Sequence, residues 1–163
     1  MLINPWQEFK QGRCIDGIIE TSQFTRIPGL IDNSIDKIYF AIEFYCDTQQ
    51  RYCIKGHING KLWLTCQRCL KPVANTIDTK INLALVSNYE AAKQLPDMYE
   101  PVIFKDGNIR SDNSFDRHNR TRANRDNNKS KLSILDLIED EIILVLPYVP
   151  THPIDMEGET CQV

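Results

Sequence analysis

Apolar residues that recur at every second position predict a β-rich core. The clearest run covers residues 37–46, where Ile38, Phe40, Ile42 and Phe44 fall on one face of the predicted strand. A period of two is typical of a strand that is buried on one side. Further patterns predict strands at 14–20, 51–58, 61–66 and 75–86.

Two bends connect the last three of these strands. The dipeptide Asn59-Gly60 suits the left-handed positions of a type I′ turn, so we expect a hairpin there. The second bend spans residues 66–71, which we call the knuckle, and contains the Cys-x-x-Cys pair Cys66 and Cys69. Consecutive strands joined by short turns predict an antiparallel meander, whose apolar face needs a covering layer.

Helical signals stand at both ends of the chain. Asn4-Pro5 suits the N-cap and first position of a short helix. Near the C-terminus, Ser133 is placed to cap a longer helix over 133–146, and Pro147 ends it. The predicted apolar stripe of this helix consists of Leu135, Ile138, Ile142 and Leu146, widened by Ile134, Val145 and others. The expected fold class is α+β: an antiparallel β-meander or partly open barrel, covered by the C-terminal helix and bearing a Cys-x-x-Cys hairpin knuckle.

Length and charge limit the functions to consider. The 163 residues suit a single domain, 1–163, and no apolar run approaches the roughly 20 residues of a membrane span. Without a visible secretory signal we expect a cytoplasmic protein. The net charge of −3 conceals a segregation, since residues 105–131 carry 8 basic and 4 acidic side chains and residues 132–163 carry 7 acidic side chains alone. We expect 105–131 to be a disordered basic insertion, which either screens the acidic end or meets a partner.

The six cysteines separate into three that we interpret as structural and three, Cys66, Cys69 and Cys161, that are candidate metal ligands. Cys14, Cys46 and Cys53 lie in no motif and are interpreted as structural, with Cys46 a small core side chain at the end of the 37–46 alternation. Cys66 and Cys69 are two residues apart on a bend, so both thiolates can face one soft cation. In a reducing compartment this pair favours metal binding over a structural disulfide.

A closed zinc site needs two more ligands. His152 and Cys161 form the one distant pair of suitable chemistry, so we predict a structural zinc site of Cys66, Cys69, His152 and Cys161 that fastens the tail to the knuckle. Free thiols that pack the tail onto the knuckle would give the same pattern. A redox-sensing thiol pair is a further alternative, although a thioredoxin-like site requires a helix after the second cysteine, where Pro72 and a β-rich segment stand here.

Charged residues mark two candidate surfaces. Arg68 and Lys71 project from the knuckle and are candidates for contacting RNA phosphates or an acidic partner, or serve only solubility. The acidic run Glu139-Asp140-Glu141 lies mid-helix and is interpreted as a solvated or partner-contacting face. The enzymatic alternative is a metal-assisted ribonuclease that uses Asp140 and Glu141 with His152.

Three sequence segments, in order, resemble the YceD family, whose members are called large ribosomal RNA subunit accumulation proteins. They are Cys-Gln-Arg-Cys-Leu-Lys-Pro at 66–72, Leu-Pro-Asp-Met-Tyr-Glu-Pro at 95–101, and Ile-Glu-Asp-Glu-Ile-Ile-Leu-Val-Leu-Pro-Tyr-Val-Pro at 138–150, with His152 and Cys161 following. The resemblance implies a noncatalytic ribosome-biogenesis factor needed for normal 23S rRNA levels or processing. Its partners would be rRNA, a large-subunit precursor or an assembly protein, with no small-molecule substrate. Residues 108–130 depart from the family pattern as an insertion.

Overall fold

A computed structural model describes residues 1–27, 36–104 and 131–153. The predicted insertion at 105–131 therefore lies, except for Lys131, outside the described residues, as does Cys161. Seven strands and three α-helices are present in the described part of the chain, with a short 3₁₀ turn at Thr21–Gln23. They are β1 (Leu2–Ile3), α1 (Pro5–Gln11), β2 (Cys14–Glu20), β3 (Lys37–Cys46), β4 (Tyr52–Thr65), β5 (Pro72–Val86), α2 (Tyr89–Lys93), β6 (Glu100–Ile103), β7 (Leu132–Ser133) and α3 (Ile134–Val145).

The main sheet has five strands in the order β2-β3-β4-β5-β6 and is mostly antiparallel. The final pair is parallel, with Leu83 opposite Glu100 and Val86 opposite Ile103. A second, two-stranded sheet pairs β1 with β7. The α+β class is confirmed, whereas the barrel alternative is wrong, because the main sheet is open and ends in β2 and β6. None of the described helices is long and apolar enough to cross a membrane.

By its contacts the chain divides into two compact units. Unit 1 contains the described residues of 1–14, 43–55, 82–104 and 131–133. Unit 2 contains those of 15–42, 56–81 and 134–153. The long strands β3, β4 and β5 each contribute residues to both units.

Unit 1 is built around aromatic side chains. Helix α1 begins as predicted, because the side chain of Asn4 accepts a hydrogen bond of 3.1 Å from the Trp6 backbone N–H. The Trp6 ring packs edge-on against the Tyr52 ring, with 5.0 Å between the ring centroids. Phe9, one turn further along the helix, meets Phe44 in the same way at 5.2 Å. Edge-to-face pairs of this kind add to the free energy gained by burying the rings.

Unit 2 contains the C-terminal helix. Helix α3 ends just before Leu146-Pro147, as predicted, and its buried stripe runs through Ile134, Ile138 and Ile142. Each of these three side chains is at most 1% exposed. All three belong to the predicted stripe, but its centre is shifted toward Ile134, since Leu135 and Leu146 are only half-buried and Val145 is exposed. The four-residue spacing still gives α3 one continuous apolar face.

The hairpin predicted at Asn59-Gly60 is wrong. Strand β4 continues through both residues, and Gly60 has a backbone φ of 157°. A Cβ atom at Gly60 would lie 2.7 Å from the carbonyl oxygen of Lys37 and 2.6 Å from the side chain of Ile38. Glycine stands here because the neighbouring strand approaches closely, which is the other common reason for glycine inside a strand.

The turn from β3 to β4 lies earlier, around Asp47. The Asp47 backbone N–H donates to the Arg51 carbonyl at 3.0 Å, and the Arg51 N–H donates to the Asp47 side chain at 2.9 Å. The Asp47 carboxylate also binds the Arg51 guanidinium at 2.6 Å. Nothing in the residues 47–51 matches a two-residue glycine turn, so a side chain supplies the closure that the sequence pattern does not reveal.

The structure divides the three cysteines outside the knuckle. Cys53 is fully buried, in agreement with a structural role. Cys14 and Cys46 are exposed. The prediction that Cys46 is a core side chain is wrong, because the residue is the last of β3, where the alternation has passed the end of the buried face.

A candidate metal centre at the knuckle

The knuckle is a hairpin turn between β4 and β5, as predicted. The Cys66 N–H donates to the Lys71 carbonyl and the Leu70 N–H donates to the Cys66 carbonyl, both at 2.9 Å. Leu70 has a φ of 59°, a left-handed conformation that costs free energy in any residue with a side chain. Its side chain is also 74% exposed. The turn thus holds Cys66 and Cys69 on one side at some cost in backbone strain.

The segment after α3 returns to the knuckle. The carbonyl oxygen of Pro150 accepts a hydrogen bond of 2.9 Å from the backbone N–H of Gln67. Two residues later, Nδ1 of His152 lies 3.4 Å from Sγ of Cys69, and Nε2 lies 3.0 Å from the carbonyl oxygen of Pro72. These contacts join residues that are about eighty positions apart in the sequence.

The contact with Pro72 determines which ring nitrogen of His152 is available. A carbonyl oxygen only accepts hydrogen bonds, so Nε2 carries the proton. In the neutral ring Nδ1 is then unprotonated and faces Cys69. Metal-binding histidines commonly donate their second ring N–H to a backbone carbonyl in this way, which fixes the ring and its tautomer.

Three donor atoms converge at this point. The sulfur atoms of Cys66 and Cys69 and a ring nitrogen of His152 all lie within 4.8 Å of one another. Among the described residues, they form the one group of three or more His, Cys, Asp or Glu side chains close enough to hold a metal ion. Two sulfurs and one imidazole nitrogen are the ligand types that zinc prefers at structural sites. The predicted fourth ligand, Cys161, lies outside the described residues and stays a prediction.

The surroundings of Cys66 favour a thiolate. Its side chain is fully buried, and burial alone opposes the charged form. Hydrogen bonds from the backbone N–H groups of Cys69, Arg68 and His152 outweigh burial and lower the pKa of the Cys66 thiol to about 5. A thiolate held by backbone donors is a ready soft ligand, since a thiol must lose its proton before it binds a metal.

The knuckle also presents the two predicted basic residues. Arg68 and Lys71 are both exposed on the turn. Both residues are close in sequence to Cys66 and Cys69, so a metal ion bound there would fix the positions of the two positive charges. Their proposed contacts with RNA or an acidic partner remain a prediction.

Within the acidic run on α3, Glu139 differs from the interpretation of the run as a solvated or partner-contacting face. Glu139 is only 1% exposed, and one carboxylate oxygen accepts the backbone N–H groups of Thr25 at 2.7 Å and Arg26 at 2.5 Å. The other oxygen binds Nε of Arg26 at 3.0 Å. Glu139 therefore ties the 21–27 segment to α3 and cannot contribute to an exposed binding surface.

Asp140 and Glu141 remain nearer the surface, at 58% side-chain exposure for Asp140. Asp140 pairs with the same guanidinium, with Nη1 of Arg26 at 2.5 Å from Oδ1. His152, the third residue of the ribonuclease alternative, contacts Cys69 and Pro72 instead. The structure thus does not gather the proposed catalytic trio at one metal-holding group within the described residues.

Sequence reasoning missed Arg26. It lies more than one hundred residues before Glu139, in a segment that matches no motif. An ion-pair partner at such a distance leaves no local signal in a single sequence. The only available sign was indirect: an acidic residue, Glu139, at a position one residue from the apolar stripe.

Comparison with known proteins places these features in a family. The family model described as large ribosomal RNA subunit accumulation protein YceD matches residues 54–163, more than half of the chain. A curated relative from Haemophilus influenzae, named large ribosomal RNA subunit accumulation protein YceD, is 26% identical over 163 residues. The alignment covers 100% of this chain and 79% of the relative. No solved structure matches the chain.

Proposed function

Because the chain belongs to the YceD family, we propose that it is a noncatalytic factor that supports the accumulation of large-subunit ribosomal RNA. It would act by binding rRNA, a large-subunit precursor or an assembly protein. The observation that carries this proposal is the knuckle, where two cysteines of the turn meet His152 of the segment after α3 as a group of three metal donors, and where the turn exposes two basic side chains. Such a centre can present a recognition surface without performing a reaction.

A zinc ion would act as a structural staple. Cys66, Cys69 and His152 would bind it, with Cys161 as the proposed fourth ligand. Because two ligands come from the knuckle and two from the C-terminal segment, binding would hold the tail in place and stabilise the folded state. Arg68 and Lys71 would then be held in fixed positions from which to contact phosphate groups or acidic side chains.

The arrangement of the carboxylates supports binding over catalysis. Glu139 is buried and engaged with Arg26, and Asp140 shares the same partner. A hydrolytic metal site needs an open coordination position, whereas the two sulfurs and one nitrogen at the knuckle, together with Cys161 as the proposed fourth ligand, would form a closed Cys₃His set of the kind found in structural zinc sites.

Depletion of the protein in its native cells tests the proposal. We expect the ratio of 23S to 16S rRNA to fall and the protein to sediment with large-subunit precursors in a sucrose gradient. Crosslinking in cells, followed by sequencing of the attached RNA, would then distinguish direct rRNA contact from an assembly-protein partner. An unchanged rRNA ratio after depletion would contradict the proposed function.

Purified protein gives a separate test of the noncatalytic part. Incubation with precursor rRNA and Mg²⁺ or Mn²⁺ should leave the RNA intact. Metal-dependent cleavage that persists in a heat-stable, repurified sample and disappears in Asp140→Asn would favour the ribonuclease alternative.

A further inference from the structure

The face of β3 that points away from the core carries Lys37 and Tyr39. Their neighbours in sequence, Ile38 and Phe40, are buried at 0% and 6% exposure. Since successive side chains of a strand point to opposite faces, Lys37 and Tyr39 share the outer face. The Tyr39 side chain is 47% exposed, which is unusual for a large aromatic residue in the middle of a sheet.

Strand β4 continues this outer face. Ile58, Leu62 and Leu64 are buried, so Asn59, Lys61 and Trp63 between them point outward. Asn59 and Lys61 are exposed, and Trp63 is half-buried.

The close approaches of two glycines fix how β3 and β4 align. A Cβ at Gly60 would meet the backbone of Lys37 and Ile38, and a Cβ at Gly56 would meet the backbone of Ala41 and Ile42. In an antiparallel pair these contacts place residue 38 opposite 60 and residue 42 opposite 56. Tyr39 then lies opposite Asn59, and Lys37 lies opposite Lys61.

The pairing of Lys37 with Lys61 has no stabilising role in the sheet. Like charges that lie directly opposite on neighbouring strands are destabilising. Neither lysine makes an ion pair with another residue in the described part of the chain. Local features that cost stability without a structural return are typical of binding sites.

Strand β5 adds a third basic position to the same face. Val73, Ile77 and Ile81 are buried, so Asp78 and Lys80 point outward with the β4 side chains. Asp78 binds Nε2 of His57 on β4 at 2.6 Å, so its charge is already engaged. On β2, the alternation about buried Ile19 places the carboxylates of Asp16 and Glu20 on this face as well. The hydrogen bonds from the Thr21 N–H to the Asp36 carbonyl and from the Phe44 N–H to the Arg13 carbonyl align β2 with β3 and place Glu20 opposite Lys37. The basic charge that lies clear of the β2 carboxylates is therefore that of Lys61 on β4 and Lys80 on β5.

We propose that this outer face of β3, β4 and β5 binds single-stranded RNA, with bases stacked on Tyr39 and Trp63 and phosphates near Lys37, Lys61 and Lys80. Exposed aromatic rings on an antiparallel sheet are a general means of holding unpaired bases, because every base has a face that can stack. Lysines beside the rings meet the backbone without reading the sequence. In a duplex the bases are already stacked and paired, so a flat aromatic face selects single strands. The inference deepens the proposed function, on which it rests, by naming the partner and a surface separate from the knuckle residues.

Binding of a fluorescein-labelled eight-nucleotide oligouridylate to the full-length protein, followed by fluorescence anisotropy, tests this proposal. Tyr39→Ala should weaken binding roughly fivefold or more, the range expected for loss of one stacked base. Trp63→Ala should do the same, and Trp63→Phe should restore most of the affinity because the ring is kept. Lys37→Glu and Lys61→Glu should weaken binding and should each reduce the slope of log affinity against log salt by about 0.7 or more.

Matched controls come from unit 1. Tyr89 is 75% exposed on α2, and Lys93 is an exposed lysine on the same helix. Tyr89→Ala and Lys93→Glu should bind like the wild type. Circular dichroism and urea midpoints identify any variant that has lost its fold, and the paired Trp63→Ala and Trp63→Phe proteins separate loss of the ring from loss of the fold.

Three results would overturn the inference: no binding of the wild type up to about 100 µM RNA, equal affinity of the sheet variants and the wild type, or preference for a duplex of the same length. The rRNA ratio in depleted cells judges the proposed function separately. If the ratio falls but the sheet variants bind RNA as tightly as the wild type, only the inference is overturned. An unchanged ratio with binding that depends on Tyr39 would overturn only the function.

Discussion

Arg26 and Glu139 form an ion pair of 3.0 Å in which the carboxylate is almost completely enclosed, at 2% side-chain exposure, while the guanidinium is 44% exposed. The same carboxylate accepts the backbone N–H groups of Thr25 and Arg26. It therefore satisfies three donors on a segment that would otherwise have to find other partners. This relationship holds the 21–27 segment against the helix that leads to the knuckle.

Loss of the Glu139 carboxylate should destabilise the protein strongly. Glu139→Ala leaves two backbone N–H groups without their acceptor and the Arg26 side chain without its buried partner. We expect the free energy of unfolding to fall by about 2–4 kcal/mol, measured by urea denaturation. Asp140→Ala is the matched control, because it removes a more exposed partner of the same arginine and should cost less than about 1 kcal/mol. Equal losses for the two variants would contradict the assigned role of Glu139.

The same carboxylate should make stability depend on pH. Burial opposes its ionisation, but the hydrogen bonds from the Arg26 backbone and side chain outweigh burial and hold the pKa of Glu139 below its ordinary value of 4.5. A group whose pKa is lowered on folding contributes stability above its unfolded pKa and loses it as pH falls through the folded one. The stability difference between the wild type and Glu139→Gln should therefore be constant from pH 7 to about 5 and shrink below about 4.5. A difference that stays constant to pH 3 would count against this pairing.

Metal content tests the donor group at the knuckle. Protein purified without chelators should contain about one zinc ion per chain, and Cys66→Ser, Cys69→Ser and His152→Ala should each lower that content severalfold. Cys14→Ser is the control, because Cys14 is exposed and lies in unit 1. Native mass spectrometry gives the stoichiometry, and the thermal midpoint before and after chelation gives the linked stability. Wild-type protein that takes up no zinc from solution would contradict the proposed structural zinc site.

The fourth ligand has its own measurement. Cys161→Ser should lower zinc affinity if Cys161 completes the site, and the remaining Cys₂His set would then bind with an open position. Competition with a chromophoric chelator compares the two affinities. An affinity equal to that of the wild type would exclude Cys161 as a ligand and leave the three-donor group intact.

The close approach at Gly60 predicts a local sensitivity to volume. Gly60→Ala places a Cβ 2.7 Å from the Lys37 carbonyl oxygen, which is backbone and cannot move aside cheaply. We expect the variant to lose roughly 1–3 kcal/mol of stability. Asn59→Ala, its exposed neighbour, should be nearly neutral, whereas a hairpin turn at this dipeptide would have made both substitutions costly. Urea midpoints of the two proteins decide the matter.

The sequence allowed some of this structure to be predicted because the relevant signals are local or chemically distinctive. The alternation at 37–46 predicted β3 correctly, and Asn4-Pro5 predicted the first residue of α1 correctly. His152 was placed near Cys66 and Cys69 because few residues in the chain carry suitable metal donors. A pair of cysteine ligands on a turn needs two further ligands to complete a zinc site, and few residues in this chain could supply them.

The rest depended on packing that no local pattern encodes. Asn59-Gly60 has strong turn propensity, yet β4 runs straight through it because the glycine accommodates a neighbouring strand. The acidic neighbours of Glu139 predict a solvated face in the sequence, and only the fold brings Arg26 to this residue. In both cases a tertiary contact overrode the short-range preference of the residue.

The central claim, that the knuckle supports large-subunit rRNA accumulation as a binding centre, is tested most directly by complementation. Cells depleted of the native protein would express the wild type, the double variant Cys69→Ser/His152→Ala, or the control Cys14→Ser at equal steady-state levels, verified by immunoblot. The measurement is the 23S to 16S rRNA ratio. We predict that the wild type and Cys14→Ser restore the ratio and that the double variant does not. A double variant that restores the ratio fully would contradict the claim.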